Sequence, residues 1–308
     1  MSGLAEHLQQ YLQLRRALGY TLVRAGRLLP RFVAFVHQAA GTVITTDLAL
    51  AWATQSQRGT PAWAAERLRL VRGFARYMQA QDPRTEIPPG TLLPAPRRRR
   101  GTPYLYTDAD VRALMTAAQT TLAPFKGATY ATLLGLLAST GLRVGEALAL
   151  ADADCDRAAG VLRIRHAKFG KTRLVLLHPS TCAALTTYRH LRDRTFRHPR
   201  SPTFFVSRAG TRLQYQNVHG TFLSLVRTAG LAHQRPRRPR LHDLRHSFAV
   251  ATLRDWYRRG VDVDARLPWL STYLGHVSPS STYWYLTAHP DLLRLAHRRL
   301  ARVMEASS

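Results

Sequence analysis

The chain has 308 residues, of which 45 are Lys or Arg and 18 are Asp or Glu, so its formal net charge is +27. This length predicts about two domains, each large enough to bury its own hydrophobic core. With 45% hydrophobic residues and only two cysteines, the composition excludes a disordered tail and a disulfide-rich secreted scaffold. The apolar runs fall short of the ~20 residues that a membrane span requires, so no membrane partner is expected.

The positive charge comes almost entirely from arginine, since only Lys126, Lys168 and Lys171 are lysines. A coding bias toward Arg would explain this skew, but it would not explain the shortage of acidic residues. A surface this positive repels itself unless a polyanion covers it, and the sequence therefore predicts a nucleic-acid partner. Residues 1–9 lack the basic region and apolar core of a secretory signal, so a cytoplasmic protein is expected.

Residues 1–82 predict a helical N-terminal domain, because apolar residues recur there at three- and four-residue steps. Thr46 or Asp47 is expected to cap a short third helix. Thr60 is expected to cap a fourth helix that has Pro61 at its first position. The residues of the fourth helix predicted to face the core are Leu68, Val71, Phe74 and Met78.

Two sets of arginines in this part of the chain are candidates for contacting DNA phosphates. Arg69, Arg72 and Arg76 lie together on the outer face of the fourth predicted helix, where an ordinary solvated face is the alternative interpretation. Residues 83–103 contain six prolines and read as a linker. Within this linker stand Arg97, Arg98, Arg99 and Arg100, a run that favours contact with a nucleic-acid backbone.

The second domain is predicted to span residues 104–308 and to be mainly helical. Thr107 and Asp110 form a capping-box pattern at its first helix. Residues 130–138 predict a buried helix that Gly141 interrupts. Two short runs, at residues 161–165 and 172–177, predict the strands of a β-hairpin. The expected fold class is therefore mainly α with a small β-hairpin or sheet.

Four separated motifs in this second domain carry polar residues in a recognisable order. Each motif alone is weak, because a single Arg, Lys or Tyr is usually structural. Together they resemble the tyrosine recombinase family, also called phage integrases. The motifs are Thr140-Gly141-Leu142-Arg143-Val144-Gly145-Glu146, Lys168 in the hairpin, His242-Asp243-Leu244-Arg245-His246, and Leu274-Gly275-His276 with Tyr285 nine residues later.

The resemblance implies a two-domain clamp around duplex DNA, built from a helical core-binding domain and an α-rich catalytic domain. It implies a site-specific recombinase of the integrase or transposase type, which joins DNA to a tyrosine and exchanges strands through a Holliday junction. A homotetramer on double-stranded DNA, with accessory recombinases as further candidate partners, is then expected. The resemblance also implies a reaction that needs no metal and no cofactor. A mobile element is the expected setting.

The family pattern assigns a role to each matched side chain, and the chemistry agrees. Arg143 and Arg245 would bind the phosphate, because a guanidinium stays charged and presents a fork to two oxygens. Tyr285 would be the nucleophile, and a positive site would help its hydroxyl, of pKa ~10, to lose its proton. Lys168 would protonate the leaving 5′-oxygen; Lys171 is the rival.

The remaining candidates support these groups. His242 would handle the tyrosine proton or bind a phosphate oxygen, and His276 would hydrogen-bond the phosphate. Glu146, one helical turn after Arg143, is expected to orient that arginine. Tyr283 competes with Tyr285 as the nucleophile, but two residues apart they cannot face the same way on a helix, so Tyr283 is assigned to packing.

Other interpretations remain for parts of the sequence. His242 and His246 have the spacing of a zinc-binding helix. A zinc metalloprotease motif requires Glu directly after the first His, whereas this chain has Asp243, and the Arg245 cation would repel the metal. The C-terminal helix, starting near Pro290, would either cover its own domain or, as the resemblance implies, dock on a neighbouring protomer. A type IB topoisomerase and a catalytically inactive DNA-binding protein are the alternative functions.

Overall fold

The computed structural model of the protein describes residues 3–55, 59–93, 102–165, 172–197, 199–232, 238–276, 278–287 and 290–306. The chain divides into two compact units, residues 1–101 and 102–308. This division falls inside the predicted linker, residues 83–103. Helices dominate both units, and the second adds a small three-stranded sheet. The predicted fold class, mainly α with a small sheet, is confirmed.

Helices α1 to α4 form the first unit around one hydrophobic core. Thr60 caps α4 as predicted, with its hydroxyl accepting a hydrogen bond from the backbone N–H of Trp63 at 3.3 Å. The predicted cap of α3 is wrong by one residue, because Thr45 accepts from the backbone N–H of Leu48 while Thr46 already belongs to the helix. The bounds are α1 Leu4–Ala17, α2 Val23–Gln38, α3 Thr46–Thr54 and α4 Pro61–Gln79.

The first part of the segment predicted as a linker packs against the first unit. The backbone N–H of Glu86 donates to the carbonyl of Ile44, and its carboxylate accepts from the backbone N–H of Thr46 at 2.7 Å. Arg72 donates to the carbonyls of Pro88 and Pro89 at 2.7 and 2.9 Å. Helix α4 therefore holds this stretch in place, although the stretch has no regular structure of its own.

The second unit contains the remaining helices. Its first helix starts with the predicted capping box, in which the Thr107 hydroxyl and the Asp110 carboxylate each accept a backbone N–H of the other residue. Helix α10 packs against α6, α11, α12 and α13. The bounds are α5 Asp108–Thr121, α6 Pro124–Thr140, α7 Val144–Ala149, α8 Pro179–Thr195, α9 Tyr215–Thr228, α10 Leu241–Arg258, α11 Val263–Leu274, α12 Ser280–Thr287 and α13 Pro290–Ala306.

The sheet contains strands β1 (Cys155–Asp156), β2 (Val161–Ile164) and β3 (Arg173–Leu176), paired antiparallel in that order. The predicted hairpin is confirmed, with Ile164 opposite Arg173. Strand β1 was not predicted, because two residues are too short to show an alternating pattern. Lys168 and Lys171, in the connection between β2 and β3, lie outside the described residues.

The C-terminal helix α13 packs on its own unit. Leu292 is 1% exposed and belongs to a hydrophobic cluster that also contains Leu253 of α10 and Tyr285 of α12. Of the two roles considered for this helix, the structure therefore displays the covering of its own domain. None of the described helices combines the length and the apolarity that crossing a membrane requires.

Candidate active site

The site begins where helix α6 ends. Gly141 has a left-handed backbone with φ of +62°, which reverses the chain after Thr140. A Cβ atom here would lie 2.6 Å from a ring carbon of Phe248, so the turn leaves room only for glycine. The reversal places Arg143 at the N-cap of α7, where its side chain can turn back toward the end of α11.

Two helix ends orient the paired arginines. Arg245 donates to the carbonyls of Gly141 at 2.9 Å and Leu274 at 2.6 Å, and Arg143 donates to the carbonyl of Gly275 at 2.7 Å. These carbonyls belong to the C-terminal ends of α6 and α11, where the helix dipole favours cations. Both guanidinium groups are thereby fixed before any ligand arrives.

Arg245 is an arginine whose side chain is almost fully buried. Its side chain is 2% exposed, and burial together with the charge of Arg143 lowers its pKa to about 10. The group is still a cation at neutral pH. A cation held in a poorly solvated position attracts a phosphate more strongly than the same group in water.

Glu146 is the carboxylate that joins the basic groups. It accepts from Arg143 at 2.7 Å and from both terminal nitrogens of Arg173 at 2.8 and 3.1 Å. Burial by itself would raise the pKa of Glu146, but the hydrogen bonds and charges of Arg173 and Arg143 outweigh burial and lower it to about 2. Glu146 is therefore ionised beside Arg143, and its role in orienting that arginine stays a prediction.

Helix α10 presents two histidines beside Tyr285. Nδ1 of His246 lies 3.1 Å from the phenolic oxygen of Tyr285. The rings of His242 and His246 meet edge to face with centroids 4.7 Å apart, as their spacing of one helical turn predicts. His242 is exposed, yet the protein atoms that partly desolvate its ring, together with the Arg245 cation, lower its pKa. His242 is therefore held neutral.

His276 covers the other side of Tyr285. Its ring stacks on the phenol with centroids 6.0 Å apart and 23° between the planes, and its Nδ1 lies 2.7 Å from the hydroxyl of Thr282. Tyr285 is 2% exposed, whereas Tyr283 on the same helix is 49% exposed. The assignment of Tyr283 to packing is therefore wrong, because α12 turns that ring to solvent and brings Tyr285 inward.

This arrangement can be compared with known proteins. The sequence model of the phage integrase family matches residues 105–291, which is more than half of the chain. The chain belongs to the phage integrase family. Members of this family are also called tyrosine recombinases. The matched range contains every predicted catalytic residue.

Two relatives cover nearly the whole chain. One, from Sinorhizobium fredii, carries the name integrase/recombinase y4rB and is 46% identical over 99% of both chains. The tyrosine recombinase XerC of Herpetosiphon aurantiacus is 30% identical over 93% of this chain and 90% of its own. The structure of the Tn1549 transposon integrase in complex with transposon right end DNA covers 96% of this chain and 99% of that one, with a TM-score of 0.67 and 17% identity. At 17% identity, the similarity to the Tn1549 integrase shows the fold alone.

The structure brings most of the predicted catalytic residues together in the region between α7, α10 and α12. These residues are Arg143, His242, Arg245, His276 and Tyr285, with Glu146 beside them. Lys168 lies outside the described residues and stays a prediction. Among the described residues, no group of three or more His, Cys, Asp or Glu side chains is placed to hold a metal ion.

The predicted DNA-contacting arginines all belong to the first unit of the chain. Arg69 is paired with Glu66 at 2.8 and 2.9 Å, with its side chain 61% exposed. Arg72 is bound to the backbone of residues 88 and 89, and Arg76 is exposed. Contact of these residues with DNA stays a prediction, as does that of Arg97, Arg98, Arg99 and Arg100, which lie outside the described residues.

Sequence reasoning missed two residues of this candidate site. Arg173 is one of 42 arginines, and nothing in its own neighbourhood distinguishes it. His246 did carry a signal, because its spacing from His242 places both rings on one face of α10, but that spacing was considered only as a possible zinc motif. Its contact with Tyr285 depends on the packing of α12.

Proposed function

We propose that this integrase is a site-specific DNA recombinase that cuts and rejoins DNA through a 3′-phosphotyrosyl intermediate. The observation that carries the proposal is the placement of Tyr285 in one buried site with Arg143 and Arg245. A neutral metabolic substrate would not need two fixed guanidinium groups, whereas a phosphodiester does. The neighbour solved with transposon end DNA supports double-stranded DNA as the partner.

The reaction would proceed by direct displacement at phosphorus. The phenolic oxygen of Tyr285 forms a bond to the phosphorus, and the bond from phosphorus to the 5′-oxygen breaks. Arg143 and Arg245 stabilise the extra negative charge on the non-bridging oxygens, with His242 and His276 as further donors. Lys168 supplies a proton to the leaving 5′-oxygen. The phosphotyrosyl bond keeps the energy of the broken one, so rejoining needs no ATP.

Recombination would require several copies of the chain. In the proposal, four protomers hold two DNA sites and exchange strands in pairs through a Holliday junction, inside the cell and with or without an accessory recombinase. Arg69 and Arg76 of the first unit, with Arg97, Arg98, Arg99 and Arg100 of the linker, would contact the phosphates. Integration or transposition of a mobile element is the proposed role, in keeping with the name of the Sinorhizobium fredii relative.

The deciding experiment uses nicked duplexes made from the DNA that flanks the gene. A nick near the cleavage point lets the freed strand diffuse away, so the covalent protein–DNA adduct accumulates and is seen on a denaturing gel. The expected result is an adduct with the wild type and with Tyr283→Phe, the matched control, and none with Tyr285→Phe. Absence of an adduct from every duplex would overturn the enzymatic proposal and favour a DNA-binding protein.

The same material separates a recombinase from a topoisomerase. Adduct on a few of the duplexes, with joint molecules between two of them, is expected for a site-specific recombinase. Adduct on every duplex, with relaxation of supercoiled plasmid and no joint molecules, would instead show a type IB topoisomerase.

A further inference from the structure

His246 is a described side chain that contacts the reacting atom of the proposed reaction, the phenolic oxygen of Tyr285. Its Nδ1 is 3.1 Å from the phenolic oxygen of Tyr285, which is within the reach required of a proton acceptor. Nδ1 accepts in the tautomer that carries its proton on Nε2. In that tautomer the phenol donates its hydrogen bond to the histidine.

The surroundings of Tyr285 favour transfer of its proton to this histidine rather than to water. Tyr285 is 2% exposed, so bulk solvent has little access to the hydroxyl. Trp284 closes one side of the pair, with its ring 5.3 Å from that of His246, and His276 stacks on the phenol. Because the unperturbed pKa of a tyrosine is ~10, a buried phenol needs a positioned base if it is to attack at neutral pH.

The charges around the pair are compatible with both stages of such a transfer. The phenol interacts electrostatically with the Arg245 cation, which stabilises a phenolate. The neighbouring His242, from the same helix, is held neutral, so it does not oppose a second positive charge 4.7 Å away. His276, on the other face of the phenol, contacts the Thr282 hydroxyl through Nδ1.

From this geometry we propose that His246 is the catalytic base that takes the proton from Tyr285. The proposal rests on the proposed function and assigns the tyrosine proton to His246 instead of His242, leaving His242 to the phosphate. The proton moves from the phenolic oxygen to Nδ1 as the oxygen bonds to phosphorus. The electron pair of the broken bond leaves on the 5′-oxygen, which Lys168 protonates. Rejoining reverses each step and returns the proton from His246 to the tyrosine.

His246→Asn is the variant that separates a base from a structural contact. The amide of Asn occupies nearly the position of Nδ1 and can keep a hydrogen bond to the phenol, but it cannot take up a proton. Single-turnover formation of the covalent adduct on a nicked duplex should fall about 100-fold or more at pH 7. His190→Asn, on the exposed face of α8, is the matched control and should react like the wild type.

A substrate with sulfur in place of the bridging 5′-oxygen separates the proton transfer from Tyr285 to His246 from the action of Lys168. Sulfur leaves without a proton, so Lys168→Ala should be rescued on this substrate while His246→Asn should stay slow. The rate of His246→Asn should rise about tenfold per pH unit until the phenol is ionised, because only the ionised phenol then reacts. The wild-type rate should level off above the pKa of the histidine, and His242→Asn should keep that profile.

Three results would overturn the assignment. The first is an adduct from His246→Asn at the wild-type rate. The second is rescue of His246→Asn by the sulfur substrate, which would place the histidine on the side of the leaving group. The third needs no variant: a wild-type rate on the sulfur substrate that does not fall as the pH drops from 8 to 5. Failure of the wild type to form any adduct would instead count against the proposed function.

Discussion

Arg173 on strand β3 holds both carboxylate oxygens of Glu146, and its third nitrogen donates to the carbonyl of Tyr273 at 2.8 Å. Its side chain is 11% exposed and that of Glu146 is 8% exposed. This ion pair connects the hairpin that carries Lys168 to α7, the helix that has Arg143 at its N-cap. Gly275 makes the approach possible, because a Cβ atom there would lie 2.8 Å from Arg173.

Replacing Arg173 by Met should therefore impair both stability and catalysis. Removal of one partner from a buried ion pair costs about 3 kcal/mol of unfolding free energy, which urea denaturation would measure. Adduct formation should fall at least about tenfold, because Glu146 then orients Arg143 less firmly. Arg173→Lys should recover part of the stability. Variants that match the wild type in both assays would show that the pair does not position the site.

The lowered pKa of Glu146 predicts a pH-dependent contribution to stability. Its pKa falls from 4.5 to about 2 on folding, so the ionised group contributes about 3 kcal/mol at pH values above 4.5. This contribution is lost as the pH falls from about 4.5 to about 2. The difference in unfolding free energy between the wild type and Glu146→Gln should shrink over the same range. A difference that stays constant would contradict the shift.

Gly141→Ala should destabilise the site more than its backbone angle alone requires. Gly260 has a similar φ of +68° with nothing within 4 Å of an added Cβ, whereas the Cβ at Gly141 would meet Phe248 at 2.6 Å. Gly260→Ala should therefore cost about 1 kcal/mol from backbone strain, and Gly141→Ala about 1–3 kcal/mol more from overpacking. Thermal unfolding of the two variants measures the comparison; equal losses would show that Phe248 moves aside.

Arg143→Lys and Arg245→Lys should separate cleavage from binding. Lysine keeps the positive charge but loses the fork that engages a backbone carbonyl and a phosphate together. Adduct formation should fall about 100-fold or more, while the affinity for duplex DNA in a gel-shift assay changes little. Arg194→Lys, an exposed residue of α8, is the control. A parallel loss of binding would assign these arginines to affinity rather than to catalysis.

The predicted phosphate contacts of the first part of the chain can be tested through salt. Replacing Arg97, Arg98, Arg99 and Arg100 by Gln should weaken binding to all DNA sequences. The fall of log affinity with log salt should become less steep, by about one unit of slope per lost contact. Arg69→Gln should act in the same way. An unchanged slope would mean that these arginines do not touch phosphates.

Arg72 should behave differently from Arg69 in that experiment. It donates to the carbonyls of Pro88 and Pro89, so Arg72→Gln should lower the stability of the first unit by about 1–2 kcal/mol. The salt slope should stay close to that of the wild type. A salt dependence that becomes less steep by about one unit of slope would show that Arg72 leaves these carbonyls to bind DNA.

Much of this protein could be predicted from its sequence, because the decisive signals are local. Thr60 and Thr107 mark helix starts through side chains that reach a backbone N–H three residues away, and the hairpin follows from two short β-rich runs. The spacing of His276 and Tyr285, and the motif around Arg143, indicated the family before any contact was known. Each of these patterns joins residues close in the chain, and the catalytic motifs indicated the family only when taken together.

Only the tertiary structure decided which groups surround the reacting atoms. Arg173 meets Glu146 across 27 positions of sequence, and His246 meets Tyr285 across 39. Periodicity and motif spacing describe residues close in the chain, so they are silent on partners that strand pairing or helix packing brings together. The sequence by itself determined the nucleophile candidate and its arginines; the packing of α12 on α10 and of β3 beside α11 determined their immediate partners.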